Sequence, residues 1–196
     1  SRVSLPNVAF LNDGNGAFSA GDAGAGDAPT CGNAESRAVV GAPITVGDTI
    51  PDVFVANVGG SALYYGNGDG TFTLHPISLA AGATATCAAV GDIDGDTDLD
   101  ILIGVDGGPI QVYENDGIDA GGADNWITGT IAITGADQIV LEDLDADGDL
   151  DLAVLQTNPD NTVRIRRNNG SGSFIAEASH NLSVTTKYLL AAPLKP

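Results

Sequence analysis

Methionine is absent from all 196 residues, and aromatic side chains make up only 5% of them. Basic residues are nearly as scarce: seven Lys and Arg stand against 26 Asp and Glu, giving a formal charge of −19. A chain so short of cations is a poor partner for nucleic acid, whose phosphates must be met by Lys and Arg. Cations or basic partners suit it better, and solubility in a salty or calcium-rich medium is the plain alternative. No apolar run reaches the roughly 18 residues of a membrane span. No signal peptide and no initiating Met are visible, so the chain reads as a processed or excised segment whose original address is lost. No stretch keeps apolar residues at i, i+3 and i+4 spacing, which argues against long helices.

Residues that carry chemistry are also few. The two cysteines, Cys31 and Cys87, are spaced for neither a zinc site nor a Cys-x-x-Cys redox pair. A single Cys31–Cys87 disulfide is expected, closing a long loop worth about 4 kcal/mol in the chain-entropy model; the alternative is two buried free thiols. The only histidines, His75 and His180, lie in no metal or nucleophile motif. There is no Gly-x-Ser-x-Gly elbow and no phosphate loop. Paired carboxylates could serve a glycosidase, but metal binding accounts for most of the Asp residues, so no enzyme is expected.

What the chain has in abundance is glycine, 27 residues, and aspartate in a repeating pattern. Glycine with many short apolar runs suits strands joined by tight turns. A turn-plus-aromatic signature recurs at Asn12-Asp-Gly-Asn-Gly-Ala-Phe18, Asn67-Gly-Asp-Gly-Thr-Phe72 and Asn168-Asn-Gly-Ser-Gly-Ser-Phe174, with a fourth copy at Asn115-Asp-Gly117 before Trp126. The aromatics fall at 18, 72, 126 and 174, a period of about 50 residues. Each signature follows a strand-like run: Val8 to Leu11, Leu63 to Tyr65, Ile110 to Tyr113 and Val163 to Arg167.

The upstream half repeats as well. Runs starting at Cys87 and Gln138 lead through acidic loops into Ile101-Leu-Ile-Gly104 and Leu152-Ala-Val-Leu155, and Ile44-Thr-Val-Gly-Asp48 leads into Val53-Phe-Val-Ala56. Four short strands per repeat is the pattern of a propeller blade. The fold expected is all-β: a β-propeller-type array of four-stranded antiparallel blades, with about three complete repeats and one split or incomplete blade. Within a single domain, residues 1–18 give a partial blade and 19–37 an irregular insertion holding Cys31. Repeats follow at about 38–80, 81–134 and 135–180, and 181–196 hold a terminal strand, its core at Ser183 to Ala192. Gly117 to Asn125 reads as a second, shorter insertion. The spare terminal strand could complete the first half-blade or pair with another chain.

Two nine-residue runs carry the strongest signal: Asp92-Ile-Asp-Gly-Asp-Thr-Asp-Leu-Asp100 and Asp143-Leu-Asp-Ala-Asp-Gly-Asp-Leu-Asp151. Each close carboxylate pair costs about 1 kcal/mol even in water at about 4 Å. Hard oxygens in this number suit calcium, which takes about 6–8 of them. Gly95 and Gly148 give the loops freedom to turn. An EF-hand would need a bidentate Glu at position 12, where these runs have Ile103 and Val154 inside strand-like segments.

Gly91-Asp-Ile-Asp-Gly-Asp-Thr-Asp-Leu-Asp-Ile-Leu-Ile-Gly104, followed by Val112-Tyr-Glu-Asn-Asp-Gly117, resembles an FG-GAP repeat, also known in its VCBS form. Glu142 to Leu155 with Asn168 to Phe174 resembles it too, and the likeness spans roughly residues 40 to 180. Such repeats build the β-propeller of integrin α subunits and of many secreted proteins. The resemblance implies two Ca2+ sites. Their ligands would be Asp92, Asp94, Asp96 and Asp100 with the Asp98 carbonyl, and Asp143, Asp145, Asp147 and Asp151 with the Asp149 carbonyl. The copy beginning at Gly47-Asp48 reads as shortened to Asp48-Thr-Ile-Pro-Asp52, and no metal is expected there. The family usually makes seven blades, more than one copy of this chain supplies.

The function expected is non-catalytic: an extracellular or cell-surface, calcium-stabilised module for adhesion or assembly, in its sharper form a structural subunit of a surface filament. Its partners would be other subunits, including copies of itself joined by strand pairing. A carbohydrate-binding or accessory module of a secreted enzyme, with a glycan partner, is the alternative. Asn169 and Asn181 head sequons and are candidate glycosylation sites. Arg164, Arg166 and Arg167 form the one basic cluster, with Arg164 and Arg166 on one strand face.

Overall fold

The computed structural model describes residues 10–12, 18–20, 35–75, 82–118, 120, 124–157, 161–182 and 188–189. Among them the chain is all-β, with no helix. It divides into two compact units, Ser1–Thr84 and Ala85–Pro196.

In the first unit, β1 (Phe10–Asn12) and β2 (Phe18–Ala20) form a two-stranded antiparallel sheet. A four-stranded antiparallel sheet follows in chain order: β3 (Ser36–Ala42), β4 (Asp52–Asn57), β5 (Ala62–Gly66) and β6 (Phe72–Leu74). Val55 and Tyr64 centre its core, with Val53, Ala62 and Phe72 packed against them.

The second unit holds two further meanders of the same kind. One comprises β7 (Ala85–Gly91), β8 (Asp100–Val105), β9 (Pro109–Ile118) and β10 (Asp124–Thr134). The other comprises β11 (Gln138–Glu142), β12 (Asp151–Gln156), β13 (Thr162–Arg167) and β14 (Ile175–Asn181). The second strand of each is buried along its whole length, in β8 and in β12. That explains their unbroken apolar runs, since a strand covered on both faces has no reason to alternate. One core joins the two sheets: Leu102, Ile110, Val112 and Ile133 pack with Ile139, Leu152 and Val154.

Several expectations need correction. The stretch Ile44 to Asp48 is not a strand: the first strand of its sheet is β3, which begins at Ser36 and so takes the last residues assigned to the 19–37 insertion. The loop it feeds is not shortened. Residues 43–51 join β3 to β4, one residue more than 92–99 or 143–150 in the other sheets. The two ends of the expected second insertion, Gly117 to Asn125, are strand: β9 runs to Ile118 and pairs with Asp124 of β10. The expected strand Ser183 to Ala192 lies mostly outside the described residues. Leu189 is within them, and its N–H and C=O both bond the side-chain amide of Gln138, at 2.5 and 2.8 Å.

Cys87 is a free, buried thiol in the structure. Cys31, its expected disulfide partner, lies outside the described residues. Burial pushes the Cys87 thiol up to about 11, and its Sγ donates to the Ala136 carbonyl at 3.5 Å.

Candidate metal centres

Both acidic runs sit at the same junction, between the first and second strands of a sheet. The ninth residue of each opens the second strand and pairs opposite the last residue of the first: Asp100 with Gly91, Asp151 with Glu142. Asp100 is fully buried. One of its oxygens accepts the Ile93 N–H at 2.8 Å, and the other accepts the Asn115 N–H of β9, also at 2.8 Å. Asp151 does the same with Leu144 and Asn168, at 3.0 and 2.9 Å.

The first unit repeats this arrangement without the acidic run. Asp52 is fully buried and pairs opposite Ala42. It accepts the N–H groups of Ile44 and Thr45 on one oxygen and of Gly66 on the other, at 2.8, 2.7 and 2.9 Å. The shared geometry makes Asp52 the counterpart of Asp100 and Asp151. A buried carboxylate that accepts backbone donors from both loop and third strand is a fastener of the sheet corner in its own right. Sequence reasoning read Asp100 and Asp151 as metal ligands alone and gave Asp52 no metal. The signal was present, since Asp precedes an apolar strand at 52, 100 and 151 alike.

Within each loop, alternate aspartates turn the chain by accepting N–H groups ahead of them. Asp92 accepts Gly95 and Thr97, at 2.7 and 3.0 Å, and Asp143 accepts Ala146 and Gly148, at 2.7 and 3.2 Å. Asp96 accepts Asp98, and Asp147 accepts Asp149, at 2.8 and 3.0 Å. The fourth and sixth loop positions have left-handed backbone in both copies: Gly95 and Thr97 at φ 83° and 82°, Ala146 and Gly148 at φ 65° and 99°.

The first loop gathers carboxylate oxygens of Asp92, Asp94 and Asp100 within 4.8 Å of one another, and the second those of Asp143, Asp145 and Asp147. Two calcium–oxygen bonds of about 2.3–2.6 Å span at most about 5 Å, so either trio can share one such ion. The donor set, all hard oxygen, fits calcium and excludes the softer metals that prefer sulfur or imidazole. Asp96 and Asp98 stand outside the first trio, and Asp149 and Asp151 outside the second. The side chain of Asp149 packs on Gly170 of its own sheet, where a Cβ would lie 2.6 Å from the carboxylate. Gly117 holds the matching place beside Asp98. The side chain of the seventh aspartate thus faces the Asn-x-Gly turn in both sheets.

Electrostatics mark the first loop as the more strained. Burial, with the charges of Asp94 and Asp96 added, pushes Asp100 up to about 7. Burial also raises Asp94 and Asp98, and neighbouring carboxylates add to both. Glu114 on β9 is raised by burial, then by the charges of Asp94 and Asp116. Sequence reasoning did not connect Glu114 to this loop.

The first loop is covered by the turn after β13. The Ile93 carbonyl accepts both the Asn168 side-chain amide and the Gly172 N–H, at 2.6 and 2.9 Å. The loop therefore fastens its own sheet to the next one. Asn169, a candidate glycosylation site, is exposed in this turn. Its Oδ1 accepts the Ser171 hydroxyl at 2.8 Å. Asn181, the other candidate, is exposed at the end of β14.

A model of the FG-GAP-like repeat matches residues 46–103 and 143–192, more than half of the chain. The chain belongs to the FG-GAP-like repeat family. No curated protein matches it. The first FG-GAP match covers the whole first acidic run and ends within β8, and the second opens at Asp143, the first residue of the other run. No described helix is long and apolar enough to cross a membrane.

Proposed function

We propose that this FG-GAP-like chain is a calcium-stabilised, β-propeller-type module that works outside the cell in adhesion or assembly. The observation that carries the reading is the pair of carboxylate trios at one strand junction in two successive sheets. Calcium at each would neutralise the loop and tie its first turn to the corner that the buried aspartate already fastens. The metal is structural in this reading, because each loop is clamped between strands and no helix pair is available to swing open.

The sharper form, a structural subunit of a surface filament, draws support from β10. It is an edge strand whose residues Ile127 to Thr130 are exposed and uncharged. Such an edge is a template for strand pairing with another chain. Native mass spectrometry with and without calcium tests the proposal. It should find two calcium ions per chain and, for the filament form, multiples of the chain mass in the loaded state. A chain that takes up no calcium overturns the reading, and a loaded species that stays monomeric at high concentration removes the filament form.

A further inference from the structure

The two acidic loops are near-copies, but the third-strand residue beside each, on β9 and on β13, carries opposite charge. Asn115 and Asn168 are counterparts, since each donates its N–H to the buried ninth aspartate. The residues before them are Glu114 and Arg167. Arg167 Nη1 lies 2.9 Å from Asp145 Oδ2, so the second loop already holds a cationic group on one carboxylate of its trio. Glu114 brings a further carboxylate to the first loop. It sits against Gly172, where a Cβ would lie 3.0 Å from its Oε1 and 3.7 Å from the Asp94 Cβ.

The next pair differs in the same direction, with Asp116 answered by Asn169. One difference runs the other way: Glu142 stands opposite Asp151 where Gly91 stands opposite Asp100. The balance still leaves the first loop more negative by two charges.

We propose that Glu114 and Arg167 set the order in which the loops take calcium, the first loop filling before the second. This rests on the calcium reading above. In the first loop Glu114 adds to the attraction for a divalent cation. In the second, an incoming ion meets the Arg167 guanidinium and must share or displace its contact with Asp145. A unit charge about 6 Å from a divalent ion in water changes its binding about tenfold, and the difference between the loops should reach at least that.

The test is a calcium titration of the whole chain followed by amide NMR, with Gly95 and Gly148 reporting on the two loops. The Gly95 signal should finish shifting at calcium concentrations at least about tenfold lower than Gly148. Arg167→Gln should move the Gly148 midpoint down about tenfold and leave Gly95 in place, whereas Arg167→Lys should keep the wild-type order. Glu114→Gln should move the Gly95 midpoint up by a similar factor. Equal midpoints in the wild type, or an Arg167→Gln titration that matches it, overturn the proposed order and leave the calcium reading standing. No shift at either glycine overturns both.

Discussion

Thr97 and Gly148 occupy the same, sixth position of two equivalent loops, and both have left-handed backbone, at φ 82° and 99°. Left-handed backbone costs an ordinary L-residue about 1–2 kcal/mol and is worst for β-branched side chains. Glycine accepts it freely but loses more entropy on folding. Thr97→Gly should therefore raise stability by roughly 0.5–1 kcal/mol, and Ala146→Gly by somewhat less. Urea unfolding at fixed calcium measures both. A loss of stability on Thr97→Gly would show that the threonine side chain compensates in some other way.

Asp52 offers a control for the metal loops. It makes the same corner contacts as Asp100 without an acidic run around it. Asp52→Ala leaves the N–H groups of Ile44, Thr45 and Gly66 without their acceptor. The cost should be about 3 kcal/mol or more, and the same with calcium or with chelator. Asp100→Ala should cost more in calcium than in chelator, because it removes a ligand as well as a fastener. Equal calcium dependence in the two variants would contradict the division of roles.

The raised Asp100 carboxyl sets a pH trend for the metal-free protein. Its folded value of about 7 lies above the ordinary 3.8, with burial as the first cause. The folded state therefore binds the proton more tightly than the unfolded state. The stabilisation is present in full below about 4 and is lost as pH rises through about 7. Chelator-treated protein should become less stable between these values, and Asp100→Asn should flatten the slope. A wild-type slope that the variant reproduces would assign the trend to other carboxylates.

Cys87 should resist alkylation in the folded protein at pH 8, since it is buried and its thiol is raised to about 11. Unfolding in denaturant without reductant should expose it to iodoacetamide at once. Labelling that requires a reductant would place Cys87 in a disulfide.

Much of this architecture was legible in the sequence because the repeats carry it twice over. The apolar runs Ile101 to Gly104 and Leu152 to Leu155 were read as strands, and they lie inside β8 and β12. Both acidic loops were placed between strands, where they are. Reading failed where composition and pairing disagree. Strand β3, Ser-Arg-Ala-Val-Val-Gly-Ala, alternates half-buried and exposed residues and opens with polar ones, so in composition it resembles the Gly-, Ala- and Asp-rich sequence before it. Ile44 looks like strand because it is apolar, yet it is buried as a loop residue whose N–H goes to Asp52. The extended β9–β10 hairpin is rich in Gly, Asp and Asn near its end, and only cross-strand pairing identifies it as sheet. Glu114 and Arg167 each looked like one more charge on a strand. Their role depends on a corner contact that spacing alone does not reveal.

Thermal unfolding of the whole chain in calcium and in EDTA tests the central claim most directly. A ligand at about 100 times its Kd adds about 2.7 kcal/mol to the folded state, which for a protein of this size corresponds to a Tm shift of several degrees. The account predicts a higher Tm in calcium by at least that amount, lost when both Asp94→Asn and Asp145→Asn are introduced. Superimposable melting curves in calcium and in EDTA would contradict it.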